Sequence, residues 1–166
     1  MTTSLAKNDE MDVVRRYMNS VPVDVRAIIE ELGVDYIEEP MQDNQSGRID
    51  YNDPFCIITI NSNESAQRQR FTAAHELGHF LLHRDLLRDE GHLDRLFGIE
   101  QSENPVSPLK MKHEVQANRF AAELLMPSRL VKKYFDEYGG DANRIAEQFE
   151  VSIAATNVRL KSMGLI

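Results

Sequence analysis

The sequence has little cysteine and no apolar run long enough to span a membrane. Cys56 is the single cysteine among 166 residues, so no internal disulfide can form, and this favours a reducing compartment. Residues 1–12 lack the apolar segment of a secretion signal, and no stretch approaches the roughly 18 apolar residues that a transmembrane helix needs. We therefore expect a cytoplasmic protein without a membrane partner.

Positive charge is also in short supply. The 19 basic and 27 acidic side chains give a formal net charge of −8. A protein with this balance does not attract phosphate backbones as a whole, so nucleic-acid binding would need a local basic patch. The length suits one domain with a small appendage.

Hydrophobic spacing and turn residues predict both helices and strands. A long helix reaching about His83 is predicted to follow a β-hairpin, and Asn61 to Ser65 supply residues that cap helices. The other predicted elements are helices at 11–19, 22–33, 112–126, 128–138 and 141–163 (the last broken near Glu150), a strand at 34–37, and the hairpin strands 48–51 and 55–60.

Residues 75–79 read His-Glu-Leu-Gly-His, the HExxH pattern, within the long predicted helix. Positions i and i+4 of a helix lie on one face, so His75 and His79 can bind one zinc ion through imidazole nitrogens. Glu76 lies beside them and can act as the general base. The alternative is two surface histidines on a solvated helix; the position of the motif after two predicted strands argues against it.

A catalytic zinc usually has a third protein ligand and one open position. Glu114 is our candidate, because it begins a later predicted helix on which Asn118 lies one turn further along. The Asn118 amide oxygen can accept the second ring N–H of a ligating histidine. From spacing alone, a Glu114 that only favours the helix N-terminus is an equally good interpretation. His113 is a weaker alternative ligand, and His83 is interpreted as a helix-end residue that favours the C-terminal dipole.

Two longer phrases resemble the ImmA/IrrE family of bacterial metallopeptidases when taken together. They are RFTAAHELGHFLLH at 70–83 and EVQANRFAAELLMP at 114–127, and the resemblance extends over most of the chain from about Pro22. It implies an α+β, zincin-like peptidase of the gluzincin type, with a short antiparallel sheet packed on the HExxH helix. It also implies one Zn²⁺ per chain on His75, His79 and Glu114, with Glu76 as the catalytic base. Gluzincins commonly have aspartate where this chain has Asn118.

The resemblance also implies an organisation and a substrate. A tail with a short helix at 1–20 precedes a zinc metallopeptidase domain at 21–138, and helix-turn-helix-like helices at 139–166 pack on that domain. Members of the family are often paired with helix-turn-helix repressors, which they cleave to switch on stress or mobile-element genes. The resemblance therefore implies an endopeptidase with a protein substrate of that class.

The run 55–60 is predicted to be an edge strand that holds an extended substrate by main-chain hydrogen bonds. Its candidate substrate-binding residues are Phe55, Ile57, Ile58 and Thr59, and an ordinary core strand is the alternative. Four side chains are candidates for stabilising the oxyanion, namely Tyr51, His83, His92 and His113. The segment from Arg88 to Met111 is hypothesised to gate access to the cleft.

The C-terminal sequence raises a different class of function. Residues 143–166 read like a helix-turn-helix, which makes a DNA-binding regulator the rival hypothesis. Between residues 141 and 166, three acidic and three basic side chains give no net charge. Three basic side chains are few for the phosphate contacts that DNA binding needs. We therefore favour a packing or partner-binding role and expect no direct nucleic-acid binding. A third hypothesis is a regulatory binding module that retains zinc without proteolysis.

Overall fold

The structure, a computed structural model, describes residues 7–88 and 111–166, and the backbone alone of residues 92–96. Within these residues the chain alternates between helices and a small sheet. In chain order the elements are α1 Lys7–Tyr17, α2 Val25–Glu31, β1 Asp35–Glu39, β2 Gln45–Asn52, β3 Phe55–Asn61, α3 Ala66–Leu82, α4 Arg84–Leu87, β4 His92–Leu96, α5 Met111–Leu125, α6 Ser128–Glu137, α7 Ala142–Phe149 and α8 Ile153–Ser162.

The strands form one sheet in the order β1-β3-β2-β4, and the predicted α+β class is confirmed. The hairpin of β2 and β3 turns at Asp53 and Pro54, as expected, and β4 also pairs antiparallel with β2. The sheet is not antiparallel throughout, because β1 pairs parallel with β3. The chain reverses after β1 and again after β2, so β1 and β3 run in the same direction and lie side by side.

Strand β3 lies inside the sheet, so the expectation of an edge strand at Phe55, Ile57, Ile58 and Thr59 is wrong. Ile58 lies opposite Tyr36 of β1 on one side and opposite Ile49 of β2 on the other. Four of the five residues from Cys56 to Ile60 are buried, which is the pattern of a strand covered on both faces. From Ile57 to Ile60 its ladder groups pair with two neighbours and do not offer a row of partners to a substrate, whereas Phe55 pairs with β2 alone.

Helix α3 packs across β2 and β3 and contributes many of the buried residues of the hydrophobic core. The Ser65 side chain caps it by accepting a hydrogen bond from the backbone N–H of Arg68 at 3.2 Å. Its apolar residues Ala74, Leu77 and Leu81 belong to one buried cluster with the sheet isoleucines. Each fully buried leucine or isoleucine contributes about 1.5–3 kcal/mol, so this burial stabilises the packing of α3 on the sheet.

The N-terminal helix begins four residues earlier than expected and is anchored to the domain. Val13 and Val14 are buried, and so is Glu10. The Arg84 guanidinium of α4 donates two hydrogen bonds to the Glu10 carboxylate, one of them at 3.1 Å. Burial of a charge is tolerated where it is paired in this way. Within the described residues, no helix has the length and apolarity that crossing a membrane would take.

Arg70 links α3, the helix with the HExxH motif, to two other parts of the chain. Its guanidinium donates to the carbonyl of Val23 at 2.9 Å, ahead of α2. It also donates to the carbonyls of Phe149 and Glu150, at 3.3 and 3.2 Å, where α7 ends. Glu150 has a left-handed backbone with φ 52°, which confirms the predicted break between the last two helices.

The basic side chains of the C-terminal helices are largely engaged within the protein. Arg159 of α8 is buried and donates to the Met126 carbonyl at 3.1 Å and to Ser128 Oγ at 3.0 Å. The Arg144 guanidinium lies 4.1 Å from the centre of the Tyr138 ring. The helix pair therefore uses its charge to pack on the domain.

Replacing Arg159 with alanine is expected to destabilise the protein by about 2–3 kcal/mol, because hydrogen bonds to charged groups contribute roughly that much and the Met126 carbonyl loses its donor. Chemical denaturation measures the change. Lys161→Ala on the exposed side of α8 is the matched control and should stay within about 0.5 kcal/mol of the original. Equal effects at both positions would contradict the role given to Arg159.

Candidate metal centre

The two histidines of the HExxH motif face each other inside the protein. His75 and His79 are almost fully buried on α3. Their Nε2 atoms are 2.9 Å apart, and the rings meet edge to face with centroids 4.6 Å apart. The four-residue spacing on a helix produces this arrangement, as the sequence predicted.

Glu114, in the first turn of α5, completes the cluster. Its Oε2 lies 3.1 Å from His75 Nε2, and its Oε1 lies 3.1 Å from His79 Nε2. One donor atom from each of the three side chains lies within 4.8 Å of the others, which suits a metal ion. Burial alone would raise the pKa of Glu114, but His75 and His79, when they are protonated on Nε2, donate to its carboxylate and hold that pKa well below its ordinary value.

Close contact between α3 and α5 brings the third donor into place. A Cβ atom on Gly78 would lie 3.0 Å from Cδ1 of Phe120 and 3.4 Å from Cα of Ala117. Glycine inside a helix costs about 1 kcal/mol relative to alanine, and here it allows the two helices to approach. This close approach allows Glu114 to reach both motif histidines, each at 3.1 Å.

Asn118 contacts His75 on the side away from the cluster. Its Oδ1 lies 2.7 Å from His75 Nδ1. An amide oxygen can only accept, so a neutral His75 ring carries its proton on Nδ1 and leaves a lone pair on Nε2. The contact predicted from the Glu114-x-x-x-Asn118 spacing is present.

His83 has a role that the sequence interpretation missed. It is the C-cap residue of α3, yet it is buried and its Nδ1 lies 2.9 Å from Nδ1 of His79. Its Nε2 lies 2.7 Å from Oε1 of Gln116. Burial lowers the pKa of His83, which favours the neutral ring. The signal available in the sequence was a histidine one helical turn after His79.

The donor set suits a divalent ion on chemical grounds. Two imidazole nitrogens and a carboxylate are the ligands of many catalytic zinc sites, and other first-row divalent metals accept the same donors. Both Nε2 atoms present lone pairs at a separation of 2.9 Å when the Nδ1 atoms carry the protons. A divalent ion bound by both nitrogens would remove the repulsion between these lone pairs. Glu76, also buried, is adjacent to His75 in the chain.

The candidates for oxyanion stabilisation are not equivalent in the structure. Tyr51 is buried and packs edge-on against Phe80, with ring centroids 6.5 Å apart. His83 contacts His79, and His113 lies against His83 with centroids 4.9 Å apart. The side chain of His92 and most of the proposed gate, namely 89–91 and 97–110, lie outside the described residues.

One domain family matches most of the chain in sequence. The sequence model of the IrrE N-terminal-like domain matches residues 29–161. Metallopeptidase ImmA of Bacillus subtilis is 33% identical over 106 residues, which are 63% of this chain and 56% of that protein. Radiation response metalloprotease IrrE of Deinococcus radiodurans is 33% identical over 91 residues, 55% of this chain and 25% of that protein. The chain thus spans about half of one relative and a quarter of the other.

A structural comparison extends the similarity to nearly the whole chain. A Mycobacterium tuberculosis transcriptional regulator superposes with a TM-score of 0.62 over 93% of this chain and 46% of that one. The sequence identity is 14%, so this match concerns the fold alone.

Proposed function

This chain belongs to the family of the IrrE N-terminal-like domain, and from that premise we propose that it is a zinc-dependent endopeptidase. The proposed metal ligands are His75, His79 and Glu114, and Glu76 is the proposed catalytic base. One observation carries the proposal: a carboxylate from α5 meets both imidazoles of the HExxH helix, with donor atoms within 4.8 Å of one another. The relatives named metallopeptidase and metalloprotease support the same reaction class.

The residues divide the work of peptide hydrolysis. A bound divalent ion supplies Lewis acidity, which polarises the scissile carbonyl and acidifies water. The Glu76 carboxylate takes a proton from the attacking water and passes it to the nitrogen of the leaving amine. Asn118 holds the Nδ1 proton of His75, which keeps the Nε2 lone pair directed at the cluster.

The proposed substrate is a helix-turn-helix repressor, cleaved in the cytoplasm to switch on the genes that it represses. The family resemblance supports this substrate class, and the single buried cysteine suits a reducing compartment. An extended substrate would pair with an outer strand of the described sheet, β1 or β4, since β3 has neighbours on both sides.

Incubation with the repressor encoded by the neighbouring gene tests the proposal. With one equivalent of zinc, we expect the repressor to be cut at a defined bond, and a chelator should stop the reaction. Mass spectrometry of the fragments identifies the bond. A zinc-loaded protein that binds the repressor and leaves it intact would instead support the non-proteolytic binding module.

Duplex DNA is not the proposed partner, although the last two helices resemble a helix-turn-helix. The segment has no net charge, Arg159 is buried against α5 and α6, and Arg144 stacks on Tyr138. Few basic groups remain for phosphate contacts, which supply most non-specific affinity. We propose that these helices form part of the peptidase domain.

A further inference from the structure

A chain of hydrogen bonds runs from the protein surface to one of the two cluster histidines. It begins at Gln116, an exposed residue of α5. The Gln116 Oε1 atom lies 2.7 Å from Nε2 of His83, and Nδ1 of His83 lies 2.9 Å from Nδ1 of His79. Nε2 of His79 is the atom that faces His75 and Glu114.

Such a chain between neutral rings can run in only two directions. If the oxygen of Gln116 accepts from His83 Nε2, then His83 Nδ1 has a lone pair and accepts from Nδ1 of His79. His79 then has a bare Nε2. If an amide N–H of Gln116 donated instead, each bond would reverse and the proton of His79 would lie on Nε2, the position that has to bind the ion.

We propose that Gln116 and His83 are positioning residues that hold His79 in its metal-binding tautomer. The inference rests on the proposed metal site and adds to it a second, longer support. His75 needs a single acceptor, Asn118 at 2.7 Å. At the same position, His79 contacts the buried imidazole of His83. The side-chain amide of Gln116, two residues after Glu114 on α5, sets the direction of that hydrogen bond. One helix therefore supplies a metal ligand and both terminal acceptors.

Paired substitutions at Gln116 test the direction of the chain. Gln116→Glu keeps the acceptor and removes the amide donor, whereas Gln116→Lys offers donors alone. We expect the zinc dissociation constant to stay close to the original for the glutamate and to rise about tenfold or more for the lysine, the range typical of groups that support metal ligands. Competition with a chromophoric chelator measures both values. Val115→Glu and Val115→Lys, at the exposed neighbouring position, correct for the charge change alone.

Ring nitrogen NMR of the zinc-loaded protein gives a readout that a purely structural role would not produce. His83 should carry its proton on Nε2 and His79 on Nδ1. A proton on Nδ1 of His83, or equal losses of affinity for both Gln116 variants after the Val115 correction, would overturn the inference. Failure of the unaltered protein to bind zinc would reject the metal site itself. Zinc binding that is insensitive to Gln116→Lys would reject the positioning role alone.

Discussion

Replacing Glu76 with glutamine is expected to leave zinc bound and to slow peptide cleavage by about 10²–10⁴-fold. Glutamine has nearly the same shape, but its amide cannot take a proton from water. General-base catalysis typically contributes about 10²–10⁴-fold to a rate, so kcat should fall by that factor. The three proposed ligands, His75, His79 and Glu114, are unchanged, and zinc content by metal analysis should therefore remain one per chain.

Glu123→Gln is the matched control, since it makes the same chemical change on the exposed surface of α5. It should cleave the repressor at the original rate. Thermal unfolding of both variants checks that the buried position at 76 tolerates the amide. If Glu76→Gln cut the substrate as fast as the unaltered protein, the assignment of the base would be wrong.

Removal of any one ligand is expected to cost both metal and activity. His75→Ala and Glu114→Ala each leave two donors in place of three, and affinity should fall by more than the 10–100-fold loss typical of groups that only support ligands. Chelator competition with Zn²⁺ measures the dissociation constants, and the cleavage assay should show no product at stoichiometric zinc.

His113→Ala separates the two candidates for the third ligand. His113 is adjacent to Glu114 in the chain, but its ring lies against His83, so its removal should affect zinc far less than Glu114→Ala. Loss of zinc from His113→Ala together with retention by Glu114→Ala would reverse the ligand assignment.

The spacing of residues along a helix was enough to predict the pairing of His75 with His79 in the candidate site. Side chains four residues apart share a helix face whatever surrounds the helix, which places His75 beside His79 and sets Glu114 one turn before Asn118. Whether Glu114 reached the histidines depended on the packing of α3 against α5, and spacing within a single helix carries no such information. The family resemblance supplied that link.

Two features depended on tertiary structure and were missed. An apolar run such as 55–60 has the same pattern in a central strand as at a buried edge, and only the parallel pairing with β1 distinguishes them. The place of His83 one turn after His79 predicts a helix-end residue, and its contact with Gln116, 33 residues away in the chain, is visible only in the structure. Hydrogen bonds over such distances leave no periodic signal in the sequence.

The contacts of Arg70 indicate which truncations of this chain would disturb the HExxH helix. One guanidinium links the helix of the HExxH motif to the carbonyls of Val23, Phe149 and Glu150. A chain truncated after Gly139 would therefore lose two of the three carbonyl acceptors of Arg70. The Arg70 guanidinium would then lie at a surface that the last helices cover in the whole chain. The final 27 residues therefore contribute contacts to the HExxH helix, and we expect that their removal would destabilise the rest of the chain.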